Sequence, residues 1–192
     1  MYDILNQFLK IMSEELNEFT DISPYTDAEA VEALGKLADH PAVVEVSKAI
    51  FPDKEPEFLR KILKSVKSID EFQILVMNKA VEWVLSTTAH NFSYDGIGNL
   101  KKINGKFLAM SNHRDIILDP AITQVVLYRN AIPMTEIAVG SNLLTNKYIE
   151  YLIRSNRMIK VIRGINARQL YLSSQVLSKY IRDCITSGRS SI

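Results

Sequence analysis

The sequence has little cysteine, glycine or proline, and each scarcity excludes a class of protein. Cys184 is the single cysteine among 192 residues, so the chain can form neither an internal disulfide nor a site built from several thiolates, which fits a reducing compartment. Seven glycines and six prolines fall well below the usual combined frequency of about 12%. This shortage favours long helices and short loops.

The chain also lacks an excess of charge of either sign and any long apolar run. A formal net charge of +1 provides no global field that would attract nucleic acid or an anionic membrane. No stretch approaches the roughly 18 consecutive apolar residues of a membrane-spanning helix, and polar residues interrupt positions 1–12, unlike a secretory signal. We therefore expect a cytoplasmic protein that binds no nucleic acid. Any membrane contact is expected to be peripheral, on the cytoplasmic face of the membrane.

Apolar residues recur every three or four positions through residues 1–89, which is the spacing of amphipathic helices. It predicts helices at about 4–19, 28–38, 41–50, 58–66 and 68–87. Thr26 and Glu29 have the spacing of a capping box. The last of these helices is expected to face the core with Phe72, Leu75, Val76, Val81 and Trp83, with Lys79 at the edge of this stripe. We expect a helical bundle here, with docking of the first helix on lipid as the alternative.

The pattern changes near His90 to short extended segments that alternate with helices. Strands are expected at about 91–97, 106–110, 132–139 and 158–162, and helices at about 121–128, 143–155 and 167–186. Helices between strands imply crossover connections and a mainly parallel sheet. The predicted fold class is therefore α/β, with an N-terminal helical bundle (1–89) followed by an α/β domain (90–192). Residues 189–192 resemble the approach to another strand, so we expect this sheet to be incomplete.

Among the titratable residues, His113 has the most favourable position for chemistry. It follows the predicted strand 106–110, and ligands bind at the carboxyl ends of strands in open parallel sheets. A neutral imidazole there can accept a proton from a hydroxyl, and a nearby carboxylate would fix its tautomer. Asp119 and Asp115 are the two candidate partners. The other two histidines, at helix ends, are expected to be structural.

Asp119 also has a purely structural interpretation. It directly precedes Pro120, and aspartate followed by proline is typical of the first positions of a helix. Its carboxylate would then bind the backbone amides of Ile122 or Thr123. Whether Asp119, Asp115 or neither pairs with the histidine stays open at this point. Cys184, on the apolar side of the last predicted helix, is expected to be a small buried side chain.

Asn112 and His113, followed closely by aspartate at a strand end, resemble the first motif of the glycerolipid acyltransferase family. That family includes glycerol-3-phosphate and lysophosphatidate acyltransferases, and its signature is Asn-His, four residues, then Asp. In this chain the family spacing falls on Leu118, with Asp119 one residue later and Asp115 three residues earlier.

Residues 157–163 resemble the family's next motif, Gly-x-x-Phe-Ile-x-Arg. The apolar middle and the terminal Arg163 agree with that motif, whereas Arg157 stands in place of the glycine and Lys160 is unusual within the strand. The two motifs follow the order of the family over about 100 residues, from His90 to the end of the chain. The family's next strand would carry a Glu-Gly-Thr-Arg motif, which this sequence does not reach.

The resemblance implies transfer of a fatty acyl group from coenzyme A or acyl carrier protein to a glycerol-phosphate or lysophosphatidate hydroxyl, in phospholipid biosynthesis. It implies no metal and no cofactor besides the acyl donor. His113 would take the hydroxyl proton, and Arg163 would bind the acceptor phosphate, with Asn112 as a further substrate-binding residue. Arg114 and Arg168 are close to these positions in sequence and would either assist in binding or be solvated surface arginines. The acyl chain would need an apolar groove. The alternative is an inactive acyltransferase-like scaffold whose helical part docks a partner or a membrane.

Overall fold

The computed structural model describes residues 19–103, 105–112, 114–164 and 166–190. The first predicted helix lies almost wholly outside the described residues. In chain order the elements are α1 (Asp27–Ala38), α2 (Ala42–Ile50), α3 (Phe58–Ser65), α4 (Ile69–Phe72), a π-helical turn (Gln73–Met77), α5 (Asn78–Thr88), α6 (Ile97–Lys101), α7 (Leu118–Arg129), β1 (Ile137–Gly140), a 3-10 turn (Ser141–Leu143), α8 (Lys147–Arg154), β2 (Met158–Val161) and α9 (Ala167–Thr186).

The N-terminal helices form one apolar core. α1 begins with the predicted capping box, in which the Thr26 hydroxyl accepts from the Glu29 N–H and the Glu29 carboxylate accepts from the Thr26 N–H at 2.8 Å. That prediction is confirmed. α1 packs against α3 and α8, and Leu152 of α8 contacts the same core. The buried core residues are Leu34, Ala38, Val43, Leu59, Leu63, Val66, Phe72 and Val76.

The π-helical turn between α4 and α5 changes which side chains face inward. The Asn78 N–H donates to the Gln73 carbonyl, five residues back, so the turn contains one residue more than an α-helical turn. The prediction that Leu75 and Trp83 face the core is wrong, because they are 44% and 36% exposed. Gln73 and Asn78 are buried in their place. The other three apolar residues of the predicted stripe are buried as expected: Phe72, Val76 and Val81.

The described sheet consists of two parallel strands joined through α8. Ile137 of β1 lies opposite Met158 of β2, and the register continues to the end of both strands. These strands confirm the general α/β expectation of a parallel pair with a crossover helix. The predicted strand at 91–97 is wrong, because the segment is irregular until α6 begins after Gly96, whose φ is 82°. The predicted strand at 106–110 is reduced to a single bridging residue, Leu108.

Residues 20–25 join the helical part of the chain to the α/β part. The Lys160 N–H of β2 donates to the Ile22 carbonyl at 2.8 Å, and the Lys160 ammonium pairs with Asp21. The Arg154 guanidinium lies 4.4 Å from the centroid of the Tyr25 ring, and the Tyr25 N–H donates to the Arg154 carbonyl at 3.1 Å. Lys160, unusual within an apolar strand motif, therefore has its partner in the segment beside β2.

A buried polar cluster joins α9 to the beginning of β1. Glu136 is 4% exposed, and its Oε2 accepts from the Tyr180 hydroxyl at 2.8 Å and from the Cys184 thiol at 3.2 Å. The Arg189 Nε lies 3.1 Å from the Glu136 Oε1. A buried carboxylate is tolerated when it is paired and hydrogen-bonded in this way. Cys184 is buried as predicted, and its thiol is also a hydrogen-bond donor.

We expect Tyr180→Phe to lower the free energy of unfolding at pH 7 by about 2 kcal/mol, because it removes a hydrogen bond to a buried carboxylate. Burial, followed by the charge of Glu136, raises the pKa of Tyr180 above its usual value near 10. Above pH 10 the unfolded chain loses this proton while the folded protein keeps it. Stability therefore falls by about 1.4 kcal/mol per pH unit for this group.

Urea titrations at pH values from 7 to 11 measure both effects. The Tyr180→Phe variant should lose less stability between pH 10 and 11 than the parent protein, since the phenylalanine has no proton to lose. Tyr171→Phe is the matched control, because Tyr171 lies on the same helix and is 63% exposed; it should change neither quantity. Equal alkaline slopes for the parent and Tyr180→Phe would contradict the prediction.

Candidate active site

A cleft of about 760 Å³ runs along β1 from Ile137 to Gly140 and continues past the carboxyl end of the sheet to Asn142 and Arg163. The carboxyl end of a parallel sheet is where ligands bind in open α/β folds. The polar residues that line the cleft are Ser111, Asp119, Thr123, Asn142 and Arg163, and its apolar residues include Met110, Ile116, Val139 and Met158. The cleft therefore places one acidic and one basic side chain among hydroxyl, amide and apolar groups.

Two aspartates fix the backbone of residues 114–119. The Asp119 Oδ2 accepts from the N–H groups of Arg114 and Asp115, at 2.7 and 2.8 Å. The Asp115 Oδ1 in turn accepts from the N–H groups of Ile117 and Leu118, at 2.8 and 2.7 Å. Hydrogen bonds to a carboxylate are stronger than those between neutral groups. The two carboxylates therefore hold this loop closed on itself at the edge of the cleft.

The expectation that Asp119 is the N-cap of α7 is wrong. The helix begins at Leu118, and Ile117 occupies the N-cap position without a side-chain cap. Asp115 supplies the hydrogen bonds at the start of the helix, which leaves Asp119, in the first turn, to bind the preceding loop instead of Ile122 or Thr123. Pro120 remains within the first turn, where its missing N–H leaves no helical hydrogen bond unmade.

The structure brings together two of the predicted site residues, Asp119 and Arg163, which line the same cleft. Asn112 and Arg114 are exposed. Neither is one of the described residues that line the cleft. His113 lies outside the described residues. Its pairing with Asp119 or Asp115 therefore stays a prediction.

Of the two other histidines, His40 has contacts that fit the expected structural role. The His40 Nδ1 accepts from the Ala42 N–H at 3.2 Å, and its ring lies 4.5 Å from that of Tyr148, edge to face. His90 is exposed just after the end of α5. Neither histidine is one of the described residues that line the cleft.

Arg163 is exposed near the end of β1, beside Gly140. The Arg163 N–H donates to the Ser141 Oγ at 2.9 Å. A Cβ added to Gly140 would lie 2.5 Å from the Asn142 Oδ1 and 3.6 Å from the Arg163 Cγ, so a side chain there would displace Asn142. Gly140 and Asn142 are not among the predicted site residues. Their local signal was the Gly-Ser-Asn turn composition directly after a predicted strand.

Arg157, at the beginning of β2, takes a backbone conformation that favours glycine. Its φ is 55°, a region that costs an L-residue about 1–2 kcal/mol. The Arg157 guanidinium lies 2.9 Å from an Asp70 carboxylate oxygen and donates to the Gln73 Oε1 at 3.2 Å. These contacts with the helical part of the chain help to offset the backbone strain.

A second cavity of about 320 Å³, with mostly apolar walls, adjoins the cleft. Its far wall comes from the π-helical turn, α5 and α8, where the helical part of the chain packs against the sheet. Mostly apolar cavities of a few hundred cubic ångströms are typical of small-molecule sites. The two cavities have six lining residues in common: Ile116, Pro120, Ile137, Val139, Leu143 and Met158.

Comparison of the chain with protein-family models, with curated proteins and with solved structures finds no match. Among the described residues no three histidine, cysteine, aspartate or glutamate side chains lie together in a way that could hold a metal ion. Within the same residues, every helix is too short or too polar to cross a membrane. Functional inference therefore starts from the cleft and the apolar cavity beside it.

We expect Asp119→Leu to release the N–H groups of Arg114 and Asp115 and to lower the free energy of unfolding by about 1–2 kcal/mol, since two hydrogen bonds to a carboxylate are lost in an exposed loop. Asp119→Asn is the matched variant, because its side-chain oxygen still accepts hydrogen bonds. Amide hydrogen exchange should become faster at both N–H groups in the leucine variant and change less in the asparagine variant. Unchanged exchange in Asp119→Leu would show that the carboxylate does not hold this loop.

Proposed function

We propose that this protein transfers an acyl group from a thioester of coenzyme A or acyl carrier protein to the hydroxyl of a phosphate-bearing acceptor. Glycerol 3-phosphate and lysophosphatidate are the acceptors that the sequence resemblance favours. The reaction would take place in the cleft that runs along β1. On this proposal the protein contributes to phospholipid biosynthesis.

The observation that carries this proposal is the common wall between the cleft and the apolar cavity. An acyl chain requires an apolar environment, and the phosphate of the acceptor requires a cation. Arg163 lines the cleft, and a guanidinium binds phosphate through two parallel hydrogen bonds. The adjoining cavity is large enough to take part of an aliphatic chain. The two halves of an acyl-transfer substrate pair thus have separate, adjacent sites.

Two sequence features support the same proposal. Ser111 and Ile116, which flank the Asn112-His113 motif, both line the cleft. At position 157 the family motif has glycine, and in this chain Arg157 has a φ of 55°. A residue with a side chain thus takes the conformation for which a glycine would be suited.

The proposed mechanism is a direct transfer without a covalent enzyme intermediate. His113 accepts the proton of the acceptor hydroxyl as its oxygen attacks the thioester carbonyl carbon. A new C–O bond forms and the C–S bond breaks, and His113 then gives the proton from the hydroxyl to the departing thiolate. A carboxylate, Asp119 or Asp115, would stabilise the transient imidazolium, and a positioned base of this kind contributes about 10²–10⁴-fold to the rate.

Two exposed apolar side chains near the cleft favour peripheral membrane contact. Met110 lines the cleft and is 89% exposed, and Ile117, in the adjoining loop, is 72% exposed. Exposed apolar side chains next to cations are typical of proteins that lie on a membrane surface, and Arg114 supplies an exposed cation in the same loop. We place the protein in the cytoplasm, with this edge of the cleft turned toward the lipid that supplies or receives acyl chains.

Thiol release from acyl-CoA and acyl carrier protein, measured with a thiol reagent, tests the proposal. We expect release that depends on glycerol 3-phosphate or lysophosphatidate, together with an equal amount of acylated acceptor. Cys184 is buried and should contribute no background. Arg163→Ala should raise the KM for the acceptor. Arg168→Ala is the control, because Arg168 is an exposed residue of α9 and is not one of the described residues that line the cleft.

Other outcomes of the same assay would contradict acyl transfer. Thiol release that needs no acceptor would indicate a thioester hydrolase. No release with either donor would favour the inactive scaffold with a docking module.

A further inference from the structure

The first half of α9 carries apolar side chains that the described part of the chain leaves exposed. The buried residues of this helix, Tyr180 and Cys184, both lie in its second half. Three consecutive apolar residues of the first half, Leu170, Tyr171 and Leu172, are 49%, 63% and 53% exposed. Exposed apolar side chains that lie together are typical of a contact surface.

One side of α9 connects this exposed patch with Phe19, where the described residues begin. Leu172, Val176 and Lys179 are four and three residues apart and therefore lie on one side of the helix, which we call the Leu172 side. The centroid of the Phe19 ring lies 5.5 Å from the Lys179 Nζ and 5.3 Å from the centroid of the Tyr180 ring. Phe19 and Val176 also pack against the same buried cluster. The segment that precedes Phe19 is therefore attached beside the Leu172 side.

Phe19 is the last member of the apolar stripe of the first predicted helix, at about 4–19. The stripe has a spacing of three or four residues and includes Leu5, Leu9, Met12, Leu16 and Phe19. Phe19 itself is helical and packs its ring against α9. Since the members of such a stripe share one face of a helix, a helix over these residues turns its apolar face to α9.

The charges of the two segments are complementary. Residues 1–18 contain four carboxylates and one lysine, whereas α9 contains three basic side chains and one carboxylate. Unlike charges on facing surfaces favour the correct pairing. A helix that lies on a lipid surface has a basic polar face, so these charges favour α9 over an anionic membrane as the partner of residues 1–18.

We propose that residues 5–16 pack as an amphipathic helix along the Leu172 side of α9. The segment runs from Phe19 toward Leu172, because the apolar patch lies in that direction and the turn beyond Tyr180 carries Asp183. Leu172 and Tyr180 are eight residues apart, which is about 12 Å along a helix. The same distance back from Phe19 places Met12 beside Leu172. On this proposal the first helix belongs to the α/β part of the chain, and the inference does not depend on the proposed function.

The reactivity of an engineered thiol on α9 tests this inference. Leu172→Cys places a thiol in the proposed contact, and Tyr171→Cys places one about 100° around the helix. The two positions are similarly exposed among the described residues, so without a covering segment both thiols react at similar rates. We expect the thiol of Leu172→Cys to react at least about tenfold more slowly, because it must wait for the segment to open. The native Cys184 is buried and contributes little.

A charge placed in the apolar stripe should remove this protection. Met12→Glu, added to Leu172→Cys, should raise the rate to that of Tyr171→Cys, because a carboxylate is costly to bury in an apolar contact. Asn17→Glu is the matched control. It also adds a carboxylate, but in an α-helix position 17 points about 140° away from position 12, so Leu172→Cys should stay slow. Circular dichroism spectra and melting curves show that each variant is folded.

Four results would overturn the inference. They are equal rates for Leu172→Cys and Tyr171→Cys, slow reaction that persists in Met12→Glu, protection that disappears on dilution, and protection that requires anionic vesicles. The third would assign the Leu172 side to a second copy of the chain, and the fourth would assign residues 5–16 to a lipid surface. The measurement involves no acyl donor and no acceptor, so its failure leaves the proposed function unaffected.

Discussion

On the proposed mechanism, His113→Ala should lower the rate of acyl transfer by about 10²–10⁴-fold in a protein that remains folded, because a hydroxyl is a poor nucleophile at neutral pH without a positioned base. The loss should fall mainly on kcat, since substrate binding is assigned to Arg163 and to the apolar cavity. Steady-state kinetics with varied acceptor, together with a circular dichroism spectrum and a melting curve for each protein, measure this effect.

His90→Ala is the matched control for that experiment. His90 is exposed and is not among the described residues that line the cleft, so its replacement should leave both kcat and KM unchanged. Undiminished turnover by a folded His113→Ala protein would remove the base from the mechanism. The acceptor-binding role of Arg163 would then have to be tested separately.

Cys184 should react with a thiol reagent at least about 100-fold more slowly in the folded protein than in urea at pH 8. Burial is the main cause that raises the pKa of this thiol, to about 11 from an ordinary value of 9.0. Since the thiolate is the reactive form, the reactive fraction at pH 8 falls from about 10% in the unfolded chain to about 0.1% in the folded protein. Cys184 also has no exposed surface, which slows the reaction further.

The rate of colour release from an aromatic disulfide reagent, with and without urea, measures this difference. One thiol should react promptly in urea and almost none over the same period in buffer. Rapid release of one equivalent from the folded protein would show that the cluster of Glu136, Tyr180 and Cys184 opens readily, and the packing described for α9 would then be wrong.

Helix bounds and helix caps, which depend on residues close together in the chain, were predicted well from the sequence. α9 has the predicted bounds, 167–186, because its apolar stripe is regular and Asn166 caps it by accepting from the Gln169 N–H at 3.0 Å. The capping box of α1 was predicted for the same reason. β2 (Met158–Val161) lies within its predicted segment, 158–162, whereas β1 (Ile137–Gly140) starts five residues later than the predicted strand 132–139 and ends one residue after it.

The candidate site was predictable only in part. The sequence placed Asp119 and Arg163 near the carboxyl ends of strands, and both line one cleft. The expected hydrogen bonds from Asp119 to the amides of Ile122 or Thr123 did not form, because a carboxylate in the first turn of a helix can bind the amides of the helix or those of the preceding loop. Asp115 binds the N–H groups of Ile117 and Leu118, and this leaves Asp119 to the loop.

By itself, the sequence determined the helix-rich α/β class, most helix bounds, the parallel pair of strands and the buried position of Cys184, all of which follow from local periodicity and capping. Only the tertiary structure decided the inward turn of Asn78, the pairing of Glu136 with Tyr180, and the common wall of the two cavities. These depend on groups far apart in the chain: Glu136 and Tyr180 are 44 residues apart. Local patterns carry no information about which distant polar groups will meet after packing excludes water.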